Sequence, residues 1–310
     1  HPRGIELFVN KNTYGPHYWQ NRYNYPDIGI SLSYFDHNSK VLGKNIATII
    51  YMDFIMARRK RSEVLFKIGT GLVYTTNPFD KEHNYKNNAL SSWLSYAMQG
   101  RLGYNYKISD RLKLNTGLTL THFSNGGFKI PNSGINIVSF NAGISHMLDL
   151  QTPPYSVTTE IPELEKEIKF NLSLASGFKG LHDLEGYFPF LNVSAYFDKR
   201  LSYSSALNLG VDGFYNLAIK NEIIHSQFET LRKPDFKKVG LVAGHELFVG
   251  KISMLTQFGV YLYNPFKSTI PVYQRYGIKY YFKEDYFLGL NLKSHGGRAD
   301  VMEWAVGLRI

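Results

Sequence analysis

Apolar and polar side chains alternate with period two along much of this chain, and this pattern limits what it can fold into. In residues 112–124, leucines occupy one side, while Lys, Asn and Thr occupy the other. The same split recurs over residues 96–107 and 286–293. Because successive side chains of a strand point to opposite faces, the alternation predicts strands with one apolar and one polar face. Long helical patterns are absent, so the sequence predicts an all-β chain.

The alternation predicts about fourteen strands. They lie near residues 26–36, 45–57, 62–75, 94–107, 111–124, 134–148, 164–176, 187–200, 203–220, 236–249, 250–263, 270–282, 284–295 and 299–310. Residues 1–24 come before the first of these strands. They are predicted to be an N-terminal segment that lies either in the periplasm or in the lumen of a barrel formed by the strands. Within that segment, residues 5–9 fit either a short strand or a plug, and the sequence leaves both open.

The connections between the predicted strands differ in length in a regular way. Tight turns alternate with longer polar loops, which lie at 75–93, 177–186, 221–235 and 263–269. Transmembrane β-barrels have short periplasmic turns and longer extracellular loops. Mid-strand charges such as Asp53, Lys67 and Arg101 suit a wet interior, and Tyr and Phe are frequent near strand ends, as at membrane interfaces. The sequence therefore predicts one antiparallel transmembrane barrel of about twelve to fourteen strands over residues 25–310.

Two connections do not fit this barrel. Residues 149–163 form a long segment where a short turn is expected, and residues 58–61 are a strongly basic run. Period-two patterning also occurs in soluble all-β proteins, so a soluble lipid-binding β-protein stays an alternative. The apolar runs are too short for a transmembrane helix. A first residue of His indicates a processed chain, in which an export signal is no longer visible.

Composition excludes several kinds of chemistry. The chain has no cysteine, so it holds no disulfide framework, thiol nucleophile or thiolate metal site. His245-Glu246 lacks the second His of a metalloprotease helix, and His182 to Glu185 is predicted to be a solvated loop rather than a metal site. No metal or organic cofactor is predicted. The net charge is +10, but the positive residues are scattered without a stripe, so no nucleic-acid partner is predicted.

The predicted strand at 111–124 ends in polar residues on its apolar side. His122 and Ser124 are two residues apart, so they share the side of Leu118 and Leu120. Asn136 begins the apolar side of the next strand, and antiparallel pairing would bring it close to His122. A His beside a Ser, with a third group that orients the imidazole, is the pattern of an activated nucleophile.

The residues between the two strands add groups for the same chemistry. Gly126 and Gly127 would let backbone N–H groups approach a substrate closely, and Asn125 and Asn132 carry side-chain amides that suit an oxyanion. His-x-Ser also occurs by chance, and Ser-Asn-Gly-Gly also suits a plain turn. By the residues alone, a catalytic site and a structural turn both remain open.

The stretch from His122 to Asn136, HFSNGGFKIPNSGIN, resembles the signature of the PagL-like outer-membrane lipid A 3-O-deacylases, or acyloxyacyl hydrolases. The shared pattern is His-x-Ser-Asn-x-Gly, followed by Lys, Pro-Asn and Gly. The resemblance implies a serine esterase of the bacterial outer membrane that removes an ester-linked acyl chain from lipid A. It also implies that His122 is the base, Ser124 the nucleophile and Asn132 an oxyanion donor, with Asn125 in support.

The chain departs from that family in two ways. Founding members carry a Glu where this chain has Asn136, and they are eight-stranded barrels. An amide can still hold the imidazole tautomer, but it stabilises an imidazolium less than a carboxylate does. A non-catalytic outer-membrane barrel, acting as a channel or as a scaffold for a lipid or protein partner, is therefore the alternative function.

The expected partner is lipopolysaccharide. Its lipid A carries phosphates that would attract cations at an outer-leaflet rim. The predicted loops hold four candidate cations, which are Lys86, Lys129, Arg232 and Lys233.

Overall fold

The computed structural model describes residues 1–148, 154–156, 163–181, 186–225, 234–283 and 285–310. These residues are mostly β-strands, so the predicted all-β class is confirmed. They divide into two compact units, one of His1–Asn125 with Pro131–Pro162 and the other of Gly126–Ile130 with Glu163–Ile310. In the described part of the chain, no helix has the length and apolar character needed to cross a membrane.

The first unit is a seven-stranded antiparallel sheet in which each strand pairs with its neighbour along the chain. Its elements are β1 (Arg3–Lys11), α1 (Tyr18–Arg22), β2 (Asp27–Asp36), β3 (Lys44–Arg58), β4 (Ser62–Thr75), β5 (Leu94–Lys107), β6 (Leu112–Ser124) and β7 (Ile135–His146). Residues 5–9, which the sequence left as a strand or a plug, lie within β1. This strand pairs with β2 along its whole length, from Arg3 opposite Asp36 to Lys11 opposite Ile28.

One face of this sheet encloses an interior, and the other is exposed. Near the long loops the interior is apolar, with a buried cluster of Ala47, Ile49, Tyr51, Val73, Ala89, Leu90, Ala97, Phe123, Ile135 and Ile137. Elsewhere it is charged: Arg101 of β5 forms an ion pair with Glu6 of β1, and Lys67 lies 3.8 Å from Asp53. An ion pair between the first and fifth strands requires a strongly curled sheet. The mid-strand charges therefore face inward, which is why the alternation is so regular.

The second unit is a closed eight-stranded antiparallel barrel, because its last strand pairs with its first. Its elements are β8 (Ile168–Lys179), β9 (Phe188–Ser202), β10 (Ser205–Asn216), α2 (Leu217–His225), β11 (Lys238–Val249), β12 (Ile252–Tyr263), β13 (Val272–Tyr281), β14 (Tyr286–His295) and β15 (Arg298–Arg309). Paired charges fill its interior. Arg275 lies 2.9 Å from Asp212 and 2.8 Å from Glu303, and Lys279 lies 2.7 Å from Glu246. Such pairing is what makes buried charges tolerable.

The prediction of about fourteen strands in a single barrel is not confirmed. The described residues form fifteen strands in two separate sheets, seven in the first and eight in the second. Alternation reveals the faces of a strand but not its partners, and here β15 closes onto β8. The atypical connection at 149–163 falls between the two sheets in the sequence. Residues 149–153 and 157–162 of that connection lie outside the described residues.

One predicted strand is too long. The sequence predicted a strand over 203–220, but β10 ends at Asn216 and α2 follows directly. The backbone N–H of Ala218 donates to Asn216 Oδ1 at 2.9 Å, which caps the start of the helix. The predicted loop residues 182–185 and the candidate cations Arg232 and Lys233 lie outside the described residues.

Candidate functional site

The pairing of β6 with β7 places Asn136 directly opposite His122, and Met98 of β5 lies opposite His122 on the other side. His122 Nδ1 is 2.7 Å from Asn136 Oδ1. A carboxamide oxygen only accepts hydrogen bonds, so this contact requires the proton on Nδ1. The second ring nitrogen, Nε2, then carries the lone pair that a general base needs.

The neighbouring residue Phe123 fixes the direction in which His122 and Ser124 point. Its ring is fully buried in the apolar cluster and makes an edge contact with Phe35 at a centroid distance of 5.6 Å. Because Phe123 points inward, His122 and Ser124 are on the opposite, outer face, together with the exposed Leu118 and Leu120. His122 is half-buried, and only 9% of Ser124 is exposed.

Asn132 connects the loop to the hydroxyl of Ser124. The backbone N–H of Asn125 donates to Asn132 Oδ1 at 3.1 Å, and Asn132 Nδ2 donates to Ser124 Oγ at 2.9 Å. A backbone N–H can only donate, so it fixes which end of the carboxamide faces Ser124. The N–H₂ group of Asn132 therefore points at the oxygen of Ser124.

Asn125 itself holds two loops together. Its side chain is fully buried, and Nδ2 donates to the hydroxyl of Ser91 at 3.1 Å. The backbone N–H of Gly134 donates to the carbonyl of Ala89 at 3.0 Å, which joins the same two loops. Sequence reasoning missed Ser91. Its only signal is a polar residue next to the apolar pair Ala89-Leu90, in a segment predicted to be a loop.

Gly134 shapes the pocket around the imidazole. Its φ is +74°, and a Cβ at this position would lie 2.9 Å from Cε1 of His122. Any other residue would be strained in this conformation and would push against the ring. Gly134 is thus a site residue that the sequence analysis named only as part of the motif.

Gly126 and Gly127 have a visible structural role in the second unit. Both have positive φ, at +68° and +86°. A Cβ on Gly127 would lie 2.6 Å from the carbonyl oxygen of Asp300, and a Cβ on Gly126 would overlap the side chain of Met302. The close approach of β15 therefore requires glycine at both positions. Their predicted role as backbone donors stays a prediction.

The structure does not show a hydrogen bond between every two site residues that the sequence predicted to interact. Among the described residues, His122 hydrogen-bonds to Asn136, and no hydrogen bond connects its imidazole to Ser124. Hydrogen bonds of catalytic groups are often completed only when the substrate binds. The structure provides an imidazole held by Asn136 and an amide donor from Asn132, both on the outer rim, which is the end of the outer face at β6 and β7.

The loop between β4 and β5, which carries Ser91, is ordered by its own hydrogen bonds. The backbone N–H groups of His83 and Glu82 donate to Asp80 and lower the pKa of that carboxyl. Trp93 at the end of this loop stacks on Tyr74, with ring centroids 6.1 Å apart. The described residues contain no group of three or more His, Cys, Asp or Glu side chains arranged to hold a metal ion.

The fold and these contacts define an all-β protein with a hydrogen-bonded polar cluster at the end of an apolar outer face. Residues 3–145 match the family "Lipid A 3-O-deacylase (PagL)", and residues 168–310 match "Acyloxyacyl hydrolase, C-terminal domain". The two matched segments correspond to the two sheets, and together they make the chain similar to PagL-like deacylases over most of its length.

No curated protein matches the chain. A protein of unknown function from the DUF3598 family of Nostoc punctiforme shares 9% identity at a TM-score of 0.25, covering 97% of this chain and 92% of that one. The siderophore receptor PirA from Pseudomonas aeruginosa shares 9% identity at a TM-score of 0.21, covering 99% of this chain and 63% of that one.

Proposed function

We propose that this protein is a bacterial outer-membrane esterase that removes an ester-linked acyl chain from lipid A, with Ser124 as its nucleophile. One observation carries the proposal: His122 Nδ1 lies 2.7 Å from Asn136 Oδ1 in the same rim where Asn132 Nδ2 lies 2.9 Å from Ser124 Oγ. This arrangement supplies an oriented base and an amide donor beside a hydroxyl, as acyl transfer requires.

The outer surface supports a lipid environment. Around the site it carries exposed apolar side chains, including Leu120 at 51% and Val138 at 78% exposure, while the interiors of both units hold the charges. Soluble proteins rarely expose apolar surface this extensively, whereas membrane barrels have an apolar outer band and a polar interior. In this proposal the outer faces contact acyl chains and the His122–Ser124 rim lies at the membrane surface.

The first chemical step would form an acyl-enzyme. Ser124 Oγ bonds to the ester carbonyl carbon while His122 Nε2 takes the hydroxyl proton. Asn136 Oδ1, held on the Nδ1–H, keeps the ring in the tautomer that can accept this proton. Asn132 Nδ2 turns from the hydroxyl oxygen to the new oxyanion, which is two bonds from Ser124 Oγ, and stabilises it.

The second half of the reaction regenerates the serine. When the tetrahedral intermediate collapses, the bond between the carbonyl carbon and the sugar oxygen breaks, and His122 returns its proton to that oxygen. Water then attacks the acyl-enzyme, and His122 Nε2 takes the proton of the water and passes it to Ser124 Oγ as the fatty acid leaves. No metal takes part in these steps.

The substrate would approach from the side of the sheet. Met98 and Leu120 flank His122 on the outer face, and Val138 pairs with Leu120 across β6 and β7. All three are exposed and apolar, so they can contact an acyl chain while its ester lies at the rim. The part of lipid A that carries the phosphates would remain in the headgroup region.

The alternative function as a channel is not favoured by the interior of the second unit. Arg275, Asp212 and Glu303 fill the middle of that barrel with mutual hydrogen bonds. An eight-stranded barrel is only wide enough for its own side chains, and these side chains occupy it. A scaffold role remains the relevant rival, and it predicts binding of lipid A without cleavage.

The test is mass spectrometry of lipid A after incubation with the detergent-solubilised protein. We expect wild type to release one acyl chain and Ser124→Ala to leave lipid A intact. Ser205→Ala is a matched control, because Ser205 Oγ lies 2.7 Å from His245 Nε2 on the outer face of the second unit. The control should retain full activity. Intact lipid A after incubation with wild type would overturn the proposal and favour the scaffold, and equal cleavage by wild type and Ser124→Ala would overturn Ser124 as the nucleophile.

A further inference from the structure

Basic side chains gather in a cavity at one end of the second unit. Lys179 ends β8, Lys238 begins β11, and His295 ends β14, so the three meet at the same end of the barrel. These residues line one partly enclosed cavity together with Asn216, Tyr261, Ser268, Thr269, Lys293 and Asp300. The cavity lies outside the site described above and belongs wholly to the second unit.

The single carboxylate of this cluster is already engaged by two lysines. Lys293 Nζ lies 2.7 Å from Asp300 Oδ2, and Lys179 forms an ion pair with Asp300 Oδ1. His295 Nδ1 lies 3.7 Å from the same carboxylate, and its Nε2 contacts the hydroxyl of Tyr261 at 2.8 Å. Each oxygen of Asp300 thus has its own lysine, and neither oxygen is in an ion pair with the third lysine of the cavity.

That third lysine, Lys238, is a buried cation that no carboxylate in the described part of the chain contacts directly, and Asp300 and Glu222 act on it only at longer range. Only 4% of the residue is exposed, and among the described residues no carboxylate lies within 4.0 Å of its ammonium. Its Nζ contacts Thr269 Oγ1 at 3.4 Å and lies 5.0 Å from the ring centroid of Tyr261. A hydroxyl and an aromatic face compensate only part of the cost of burying an ammonium. An anion in the cavity would supply the remainder.

We propose that this cavity binds a phosphate group. Three lysines facing one aspartate leave an excess of two positive charges, which matches a phosphate monoester dianion better than a carboxylate. Lys238 and Lys179 would supply charged donors, and the hydroxyls of Ser268 and Thr269 would supply neutral ones. Lysine ammonium groups bind phosphate oxygens in this way as compact point charges. The site takes either free phosphate or a phosphate of a lipid headgroup, and it does not depend on the proposed esterase activity.

Calorimetric titration of the full detergent-solubilised chain with inorganic phosphate, in a phosphate-free buffer, tests the proposal. We expect wild type to bind and Lys238→Met to bind at least about tenfold more weakly, because a charge-assisted hydrogen bond is lost. Lys220→Met is the control, since it removes an exposed lysine from α2 at the same end and should leave binding unchanged. Absence of binding by wild type, or equal binding by Lys238→Met, would overturn the site.

A second variant keeps the proposal testable if Lys238→Met does not fold. Lys179 is partly exposed, so Lys179→Gln should fold normally and still weaken phosphate binding severalfold. Unchanged binding by a folded Lys179→Gln, together with a misfolded Lys238→Met, would also overturn the proposal. Lipid A micelles added as a competitor identify the source. Displacement of phosphate indicates a headgroup phosphate, and absence of displacement indicates free phosphate.

Discussion

In the described residues, each unit carries an outward-facing pair of His and Ser, and the two pairs differ in what surrounds them. In the first unit His122 Nδ1 is bonded to Asn136, and Ser124 receives an amide N–H from Asn132. In the second unit Ser205 Oγ lies 2.7 Å from His245 Nε2. Within the described residues, no hydrogen bond holds Nδ1 of His245.

The connection next to each serine explains the difference. Ser205 follows the tight turn between β9 and β10, and so short a turn has no residues to spare for a carboxamide. Ser124 precedes a longer loop that returns Asn132 to its hydroxyl and Asn136 to the imidazole. A short distance between Ser and His therefore does not by itself make a nucleophile. The tautomer and an oxyanion donor must be supplied by neighbouring groups.

Removal of the nucleophile should have the largest effect. Ser124→Ala should lower the rate of acyl release by roughly a thousandfold or more, because the acyl-enzyme can no longer form. The measurement is the initial rate of fatty acid release from lipid A. Ser205→Ala should match wild type. Equal losses in the two serine variants would erase the distinction between the pairs.

Removal of the amide donor should come next. Asn132→Ala should lower kcat about a hundredfold with little change in KM, because the donor acts on the oxyanion rather than on the bound ester. Separate determination of kcat and KM checks this split. A rise in KM alone would mean that Asn132 contributes to binding and not to the transition state.

Loss of Asn136, the residue that orients the imidazole, should lower the rate less than loss of the amide donor. Asn136→Leu should lower kcat by about tenfold to a hundredfold, because the imidazole loses the acceptor that fixes its tautomer. Asn136→Glu should equal or exceed wild type, since a carboxylate stabilises the imidazolium better than an amide. If the Leu variant kept full activity, Asn136 would have no role in positioning the base.

The smallest effect is expected at Gly134. Gly134→Ala should cost about 1–2 kcal/mol of stability through its positive φ and lower the rate severalfold by displacing His122. Gly143→Ala in β7 is the control, because a Cβ there meets no atom within 4 Å. Thermal unfolding and rates of both variants test the prediction. The same loss in both would show that Gly134 has no special contact with the imidazole.

Much of the fold follows from period-two alternation, because one face of each strand is inside and the other is exposed. The strand faces and the opposition of His122 and Asn136 depend on local pairing across one hairpin, so they were predictable. Closure of β15 onto β8 depends on pairing between residues far apart in sequence, and no local pattern encodes it. The contact of Asn125 with Ser91 was hidden for the same reason, since it joins two loops that the sequence treats separately.

The most direct test of the central claim is labelling with an alkyl fluorophosphonate, which reacts covalently with activated serines, followed by peptide mass spectrometry. We expect a label on Ser124, loss of that label in His122→Ala, and no label on Ser205 in either protein. An unlabelled Ser124 in active wild-type protein, or a label on Ser205 instead, would contradict the claim.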